Sequence, residues 1–140
     1  NRNMYKTFLE MAEIVSQLHT CNRAACGTVL VKNNQPIAMG FNGASVGEPS
    51  CKDEGCVIQE GHCQKAIHSE VRAIAEAAKN GQCTEGATAF LSNRPCQNCM
   101  GAMAQAGIKE VFYTHDYHSE AHRDQYDSPH LNAYLRVTKI

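Results

Sequence analysis

His68-Ser69-Glu70 and, further along, Pro95-Cys96-Gln97-Asn98-Cys99 form a split donor set that constrains this chain more than any other feature. One neutral imidazole and two thiolates give Zn²⁺ three protein ligands and leave the fourth position for water, the layout of a catalytic site; a structural zinc clip is closed by four. A fold that serves this set must bring two distant segments to one point. Cys-x-x-Cys puts two sulfurs one turn apart on one helix face, and Cys96 at a helix start gains from amide dipoles that favour the thiolate. His68 and Glu70 would diverge in mid-helix. They serve one site only at a first turn, with His68 reaching back to the metal and Glu70 beside it without being a ligand. Zinc lowers the pKa of bound water to about 7, and Glu70 is placed to move that water's proton. Taken alone, Glu70 is also an ordinary acid of a first helical turn.

The periodicities supply the two helices. Ile67–Asn80 carries Ala73, Ile74, Ala77 and Ala78 on a narrow apolar face and stops at Gly81. Pro95 suits a first helical position, with Cys96–Ala106 a small-residue helix stopped at Gly107. Upstream, Phe8, Met11, Ala12, Val15 and Leu18 space an amphipathic helix over residues 4–18. Thr28–Val31 and Pro36–Met39 read as a hairpin turned by Lys32-Asn33-Asn34-Gln35. Ala87–Leu91 and Glu110–Thr114 read as strands, and Tyr134–Ile140 as a closing edge strand. Strand–helix alternation implies βαβ crossovers and a mainly parallel sheet after the opening hairpin. One domain spanning residues 1–140 is expected.

Thirteen basic against fourteen acidic residues give a net charge of −1, without the basic excess that a nucleic-acid partner favours. No apolar run approaches membrane-spanning length and no charged-then-apolar leader opens the sequence, so a cytoplasmic protein is expected (in a host's cytoplasm if phage-encoded) with no membrane partner. The eight cysteines fit a secreted disulfide framework by count. Their alternation with histidines and the long helical stretches favour metal binding in a reducing compartment instead. The segment from Ala44 to Gly61, rich in Gly, Ser, Cys and acids, is long for an unstructured loop and must be functional or pinned. Cys21, Cys51, Cys56, His62 and Cys63 offer five candidates for a closed four-ligand zinc site, with reduced, partly buried thiols as the alternative. Cys26 reads as core and Cys83 as an incidental loop thiol. His115, His118, His122 and His130 read as surface or satisfied histidines and not as ligands.

The His-x-Glu and Pro-Cys-x-x-Cys motifs match the nucleobase deaminase pattern. Together with Cys21-Asn22-Arg23, Gly40-Phe41-Asn42-Gly43, Cys51-Lys52-Asp53-Glu54-Gly55-Cys56, Gly61-His62-Cys63 and Gln105-Ala106-Gly107-Ile108-Lys109, they cover nearly the whole chain. The sequence thereby resembles the deoxycytidylate (dCMP) deaminases of the zinc-dependent cytidine-deaminase superfamily. The resemblance implies a three-layer α/β/α fold with a five-stranded mixed sheet and the zinc site at two helix starts. It implies hydrolytic deamination of dCMP to dUMP and ammonia, which supplies thymidylate synthesis, with Glu70 as the proton shuttle. It gives Asn42 the sugar or phosphate end of the nucleotide, Arg23 a phosphate contact, the Ser69 backbone the pyrimidine and Tyr117 a lid over the ring. It further implies a hexamer activated by dCTP and inhibited by dTTP with Mg²⁺, with Asn42, Gly43 and Arg72 near the effector, and a second, structural zinc in the Cys-rich insertion.

Plainer readings stand beside these. Asn42-Gly43 is also a tight-turn dipeptide, Arg23 a surface charge, and Tyr117 a packing residue. Two motifs depart from the family pattern: Ser69 and Arg72 stand where it usually has Ala and Asn, and Ser92-Asn93-Arg94 where it more often has Thr with apolar residues. Ser69 is small enough to leave the ligand set alone, whereas Arg72 puts nucleotide or effector recognition in question. A deaminase of another base and a metal-stabilised nucleotide sensor are the competing functions. Glu70 argues against a sensor, which needs no proton shuttle.

Overall fold

The structure, a computed structural model, describes residues 2–21, 24–60, 62–116 and 127–140. Its centre is a five-stranded sheet of β1 (Gly27–Lys32), β2 (Gln35–Phe41), β7 (Thr88–Asn93), β8 (Glu110–His115) and β9 (Arg136–Lys139), in the order β2-β1-β7-β8-β9. β1 pairs antiparallel with both β2 and β7, while β7, β8 and β9 run parallel. The sheet is therefore mixed, with its parallel half confined to the last three strands.

Alternation along the strands sorts two cores. Val29, Val31, Phe90 and Phe112 face α1 (Arg2–Ser16), meeting Phe8, Leu9, Ala12 and Val15. The Phe90 and Phe112 rings stack at 5.5 Å between centroids, with Tyr5 4.7 Å from Phe112, a favourable aromatic arrangement. Leu30, Ala89, Leu91 and Val111 face the other way, against Ala73 of α3 (Ser69–Lys79) and Met100 and Met103 of α4 (Gln97–Gln105). With helices on both faces, β1 and β7 read as near-continuous apolar runs. The result is the expected α/β/α sandwich.

Asn33 and Asn34 both take positive φ (53° and 62°), the conformation of a two-residue hairpin turn that Asn tolerates. α1 ends at Ser16, two residues before the apolar pattern does, so Leu18 lies in the turn beyond it and is 51% exposed. α4 begins at Gln97, one residue after the expected start at Cys96 and two after Pro95. Cys96 is the extended N-cap (φ −76°, ψ 167°) and Pro95 precedes it, fully buried. A further helix, α5 (Pro129–Tyr134), precedes β9 and shortens the expected closing strand. Ser128 caps it through the Leu131 amide at 3.1 Å and Pro129 takes its first turn, a start signal hidden in the polar run. The Ala44–Gly61 stretch holds a one-turn helix, α2 (Cys51–Glu54). The short strands β3 (Gly43–Ala44), β4 (Ile58–Gln59), β5 (His62–Cys63) and β6 (Ala66–Ile67) complete the region, β3 pairing with β6 and β4 with β5.

Two glycines set how closely the layers approach. A Cβ on Gly40 would strike the Ser69 carbonyl and the Ala73 amide, and one on Gly27 the Ala12 carbonyl and the Ser16 amide. Gly27→Ala is expected to destabilise by about 1–3 kcal/mol through overpacking against helix backbone. Gly101→Ala, in α4 with open space around its Cβ, should instead stabilise by about 0.5–1 kcal/mol. Urea midpoints at unchanged m-value check both.

Candidate metal and catalytic centre

Each half of the donor set sits where a helix begins. His68 is the extended N-cap of α3 (φ −70°, ψ 153°) and makes no side-chain capping bond. Its Nδ1 lies 3.6 Å from Cys96 Sγ and 3.3 Å from Cys99 Sγ. The three donor atoms all lie within 4.8 Å of one another. One imidazole nitrogen and two sulfurs at that spacing fit a zinc ion.

The electrostatics agree with that fit. The hydrogen bond from Cys99, helped by His68 and by the Cys99 backbone amide, outweighs burial and holds the Cys96 thiol down to about 3. The same pairing and burial push Cys99 well above the usual thiol range, with Glu70 adding to the effect. Hydrogen bonding to Cys96 raises His68. Two sulfurs this close to each other and to an imidazole nitrogen form a site that a cation completes, taking both sulfurs as thiolates.

Glu70, in the first turn of α3, is 6% exposed. Burial raises its carboxyl above the usual range, against the opposing hydrogen bond from Ser69. Ser69 Oγ donates to Glu70 Oε1 at 2.6 Å and lies 2.9 Å from Thr28 Oγ1. A hydroxyl has one hydrogen to give, so Thr28 donates to Ser69 and Ser69 to Glu70. The serine is thus not neutral to the site, and Thr28, its support in the central sheet, carried no motif to reveal it. Cys26 lies near enough to Glu70 and Cys96 to feel both charges. Burial first, then those charges, raise its thiol.

Asn42 is 8% exposed. Its Oδ1 accepts from the Cys26 amide at 2.7 Å and its Nδ2 donates to the Ala24 carbonyl at 2.8 Å. Arg72 does not reach into the donor set: its guanidinium contacts the backbone carbonyls of Phe41, Gly43 and Ala44. Arg23, Tyr117 and the His62 side chain lie outside the described residues, as do His118 and His122. His115 pairs with Glu13 at 2.6 Å.

In the insertion, Cys51, Cys56 and Cys63 bring their sulfurs within 4.8 Å of one another. Cys51 Sγ stands 3.5 Å from Cys63 Sγ. Burial, with hydrogen bonds to Cys56 and Cys63, pushes Cys51 up to about 12. At Cys63, the Lys65 and Ala66 amides and the Cys51 thiol overcome burial and bring it to about 7. Cys21 is buried outside this cluster, its carbonyl accepting from His19 Nδ1 at 2.7 Å. Among the described side chains, three of the candidate ligands therefore converge. Cys83 is exposed.

Comparison with known proteins gives this geometry its relatives. The chain is 37% identical over 110 residues to ComE operon protein 2 of Bacillus subtilis, covering 79% of this chain but only 58% of that protein. It is 28% identical over 172 residues to the deoxycytidylate deaminase of Enterobacteria phage T4, covering 96% of this chain and 88% of the relative. Among solved structures, the dCMP deaminase of cyanophage S-TIM5 in complex with dCMP and dUMP matches with a TM-score of 0.82 at 28% identity, over 100% of this chain and 98% of the other. The family model for the cytidine and deoxycytidylate deaminase zinc-binding region matches residues 2–115. That range contains His68, Glu70, Cys96 and Cys99, and by it the chain belongs to the zinc-binding cytidine and deoxycytidylate deaminases.

Proposed function

We propose that the protein is a zinc-dependent hydrolase that converts dCMP and water to dUMP and ammonia. The observation that carries this reading is a buried carboxylate, Glu70, held by a hydroxyl beside a three-donor metal set of which it is not a part. His68, Cys96 and Cys99 would hold the zinc. When bound, the ion supplies Lewis acidity that brings the pKa of water to about 7.

The chain's own residues handle the protons. Ser69 donates to Glu70 Oε1 and so orients the carboxylate that takes the proton from water. Burial raises the Glu70 carboxyl, so its protonated form is accessible for delivery to the pyrimidine N3 and then to the departing amine. Asn42 has spent one N–H and one lone pair on the Ala24–Cys26 backbone. Its second N–H and second lone pair remain for the sugar or phosphate end of the nucleotide. Arg23 serves the phosphate in this reading, the Ser69 backbone faces the base and Tyr117 covers the ring.

Cys51, Cys56 and Cys63 are assigned to a second, structural zinc, with His62 as the candidate for its fourth ligand. The sulfurs replace the apolar interior that this segment lacks. We further assign the enzyme, as a single-domain chain, to a cytoplasmic hexamer activated by dCTP and inhibited by dTTP with Mg²⁺, with Asn42, Gly43 and Arg72 close to the effector. An effector acts in this way only by preferring one quaternary state.

Ammonia release measured across dCMP, CMP, dCTP and deoxycytidine should favour dCMP; a preference for any other substrate would overturn the reading. Glu70→Gln should keep its zinc and lose about 10²–10⁴-fold in turnover, and a loss below tenfold would remove the shuttle role. Elemental analysis should find two zinc ions per chain. Cys96→Ser should lose one of them together with activity, and Cys51→Ser the other together with thermal stability. A stoichiometry of one, with Cys51→Ser as stable as the parent, would sink the structural site.

A further inference from the structure

Between β2 and β3 the chain turns through Phe41, Asn42, Gly43 and Ala44, and each carbonyl along it needs a donor. The Thr20 amide serves Asn42 O at 3.2 Å. One side chain serves the other three. Arg72 donates from Nε to Phe41 O at 2.9 Å, and from Nη2 to Gly43 O at 3.1 Å and Ala44 O at 2.7 Å. The guanidinium carbon also lies 4.3 Å from the centroid of the Phe41 ring, a cation–π contact. The rigid planar fork of the guanidinium presents donors to three carbonyls while its face lies on a ring; an ammonium on a flexible stem has three donors but neither the fixed fork nor the face.

We propose that Arg72 is a positioning residue that fixes the Asn42 turn at a set distance from the catalytic carboxylate. Its place on α3 makes this role specific. The same helix carries His68 at its cap and Glu70 in its first turn, and the Arg72 amide donates to the His68 carbonyl at 3.0 Å. One rigid element therefore holds the metal ligand, the proton shuttle and the grip on the turn. Asn42 in turn orients the Ala24–Cys26 backbone through both ends of its amide. Slackening the grip moves the nucleotide-binding amide relative to Glu70 without touching the reacting atoms. The cost falls on nucleotide affinity, not on the chemical step. This inference rests on the deaminase reading for its kinetic arm alone.

The test compares Arg72→Gln and Arg72→Lys with the parent in dCMP kinetics, zinc content and amide hydrogen exchange of the nucleotide-free protein. Both variants should raise KM about tenfold or more, with kcat within about threefold and zinc unchanged. Lysine should fail to rescue, because charge without the fork does not hold three carbonyls. Exchange at the Asn42 and Ala44 amides, which donate to Cys26 O and Thr20 Oγ1, should quicken about tenfold or more, while the Ala73–Ala77 amides stay protected. Phe41→Leu removes the ring but none of the three bonds, and should raise KM only about two- to threefold; this milder variant tests the role if the Arg72 variants do not fold. A KM within about twofold of the parent in both Arg72 variants would overturn the proposal. So would unchanged exchange at the turn, an equal loosening of α3, or a larger effect from Phe41→Leu than from Arg72→Gln. A parent protein inactive on dCMP would refute the deaminase reading, and the exchange measurements would then decide the role of Arg72.

Discussion

The geometry of the site depends on where two helices start. His68 and Cys96 are both extended N-cap residues, so the backbone turns into a helix immediately after each donor. Cys99 follows Cys96 by one helical turn and Glu70 follows His68 by two residues, which places a sulfur and a carboxylate at the same point. Everything beneath serves to bring these starts together. Gly40 lets β2 lie against the backbone of α3, and Ala73 and Ala77 are fully buried there. Met100 and Met103 of α4 fill the same core. Larger residues along that seam would part the helices and with them the donors.

Local chemistry was legible in the sequence where it repeats at short range. The apolar spacing of α1, the Asn-Asn hairpin and the Cys-x-x-Cys turn each express a period or turn preference that few residues can meet otherwise. Boundaries were less so. Leu18 continues a 3.6-residue pattern past the end of its helix, because periodicity does not record where hydrogen bonding stops. Pro95 suits the first helical turn, yet Cys96 takes the cap, so the helix starts two residues after it, at Gln97. Ser128-Pro129 did announce α5, but within a polar run that carries no apolar stripe.

Long-range partnerships were not legible. Thr28 meets Ser69 across 41 residues and Arg72 meets the turn across 28 to 31, and neither pair leaves a mark in local pattern. Ser69 and Arg72 depart from the family pattern, but their roles lie in partners that only the fold supplies. The cysteines of the insertion show the same limit. Their types announce metal chemistry, while the choice of Cys51, Cys56 and Cys63 over Cys21 depends on how α2 and the β4–β5 hairpin fold back on each other.

The hydroxyl contact between Thr28 and Ser69 also bears on motion. Helix ends fray, opening and reclosing far more often than the strands at the centre of a sheet. Glu70 lies in a first helical turn, where fraying would be felt most. Through Ser69, however, it is tethered to Thr28, a fully buried residue of β1 with strands on both sides. The carboxylate therefore inherits the slow opening of the sheet's interior and not the rapid breathing of a helix tip.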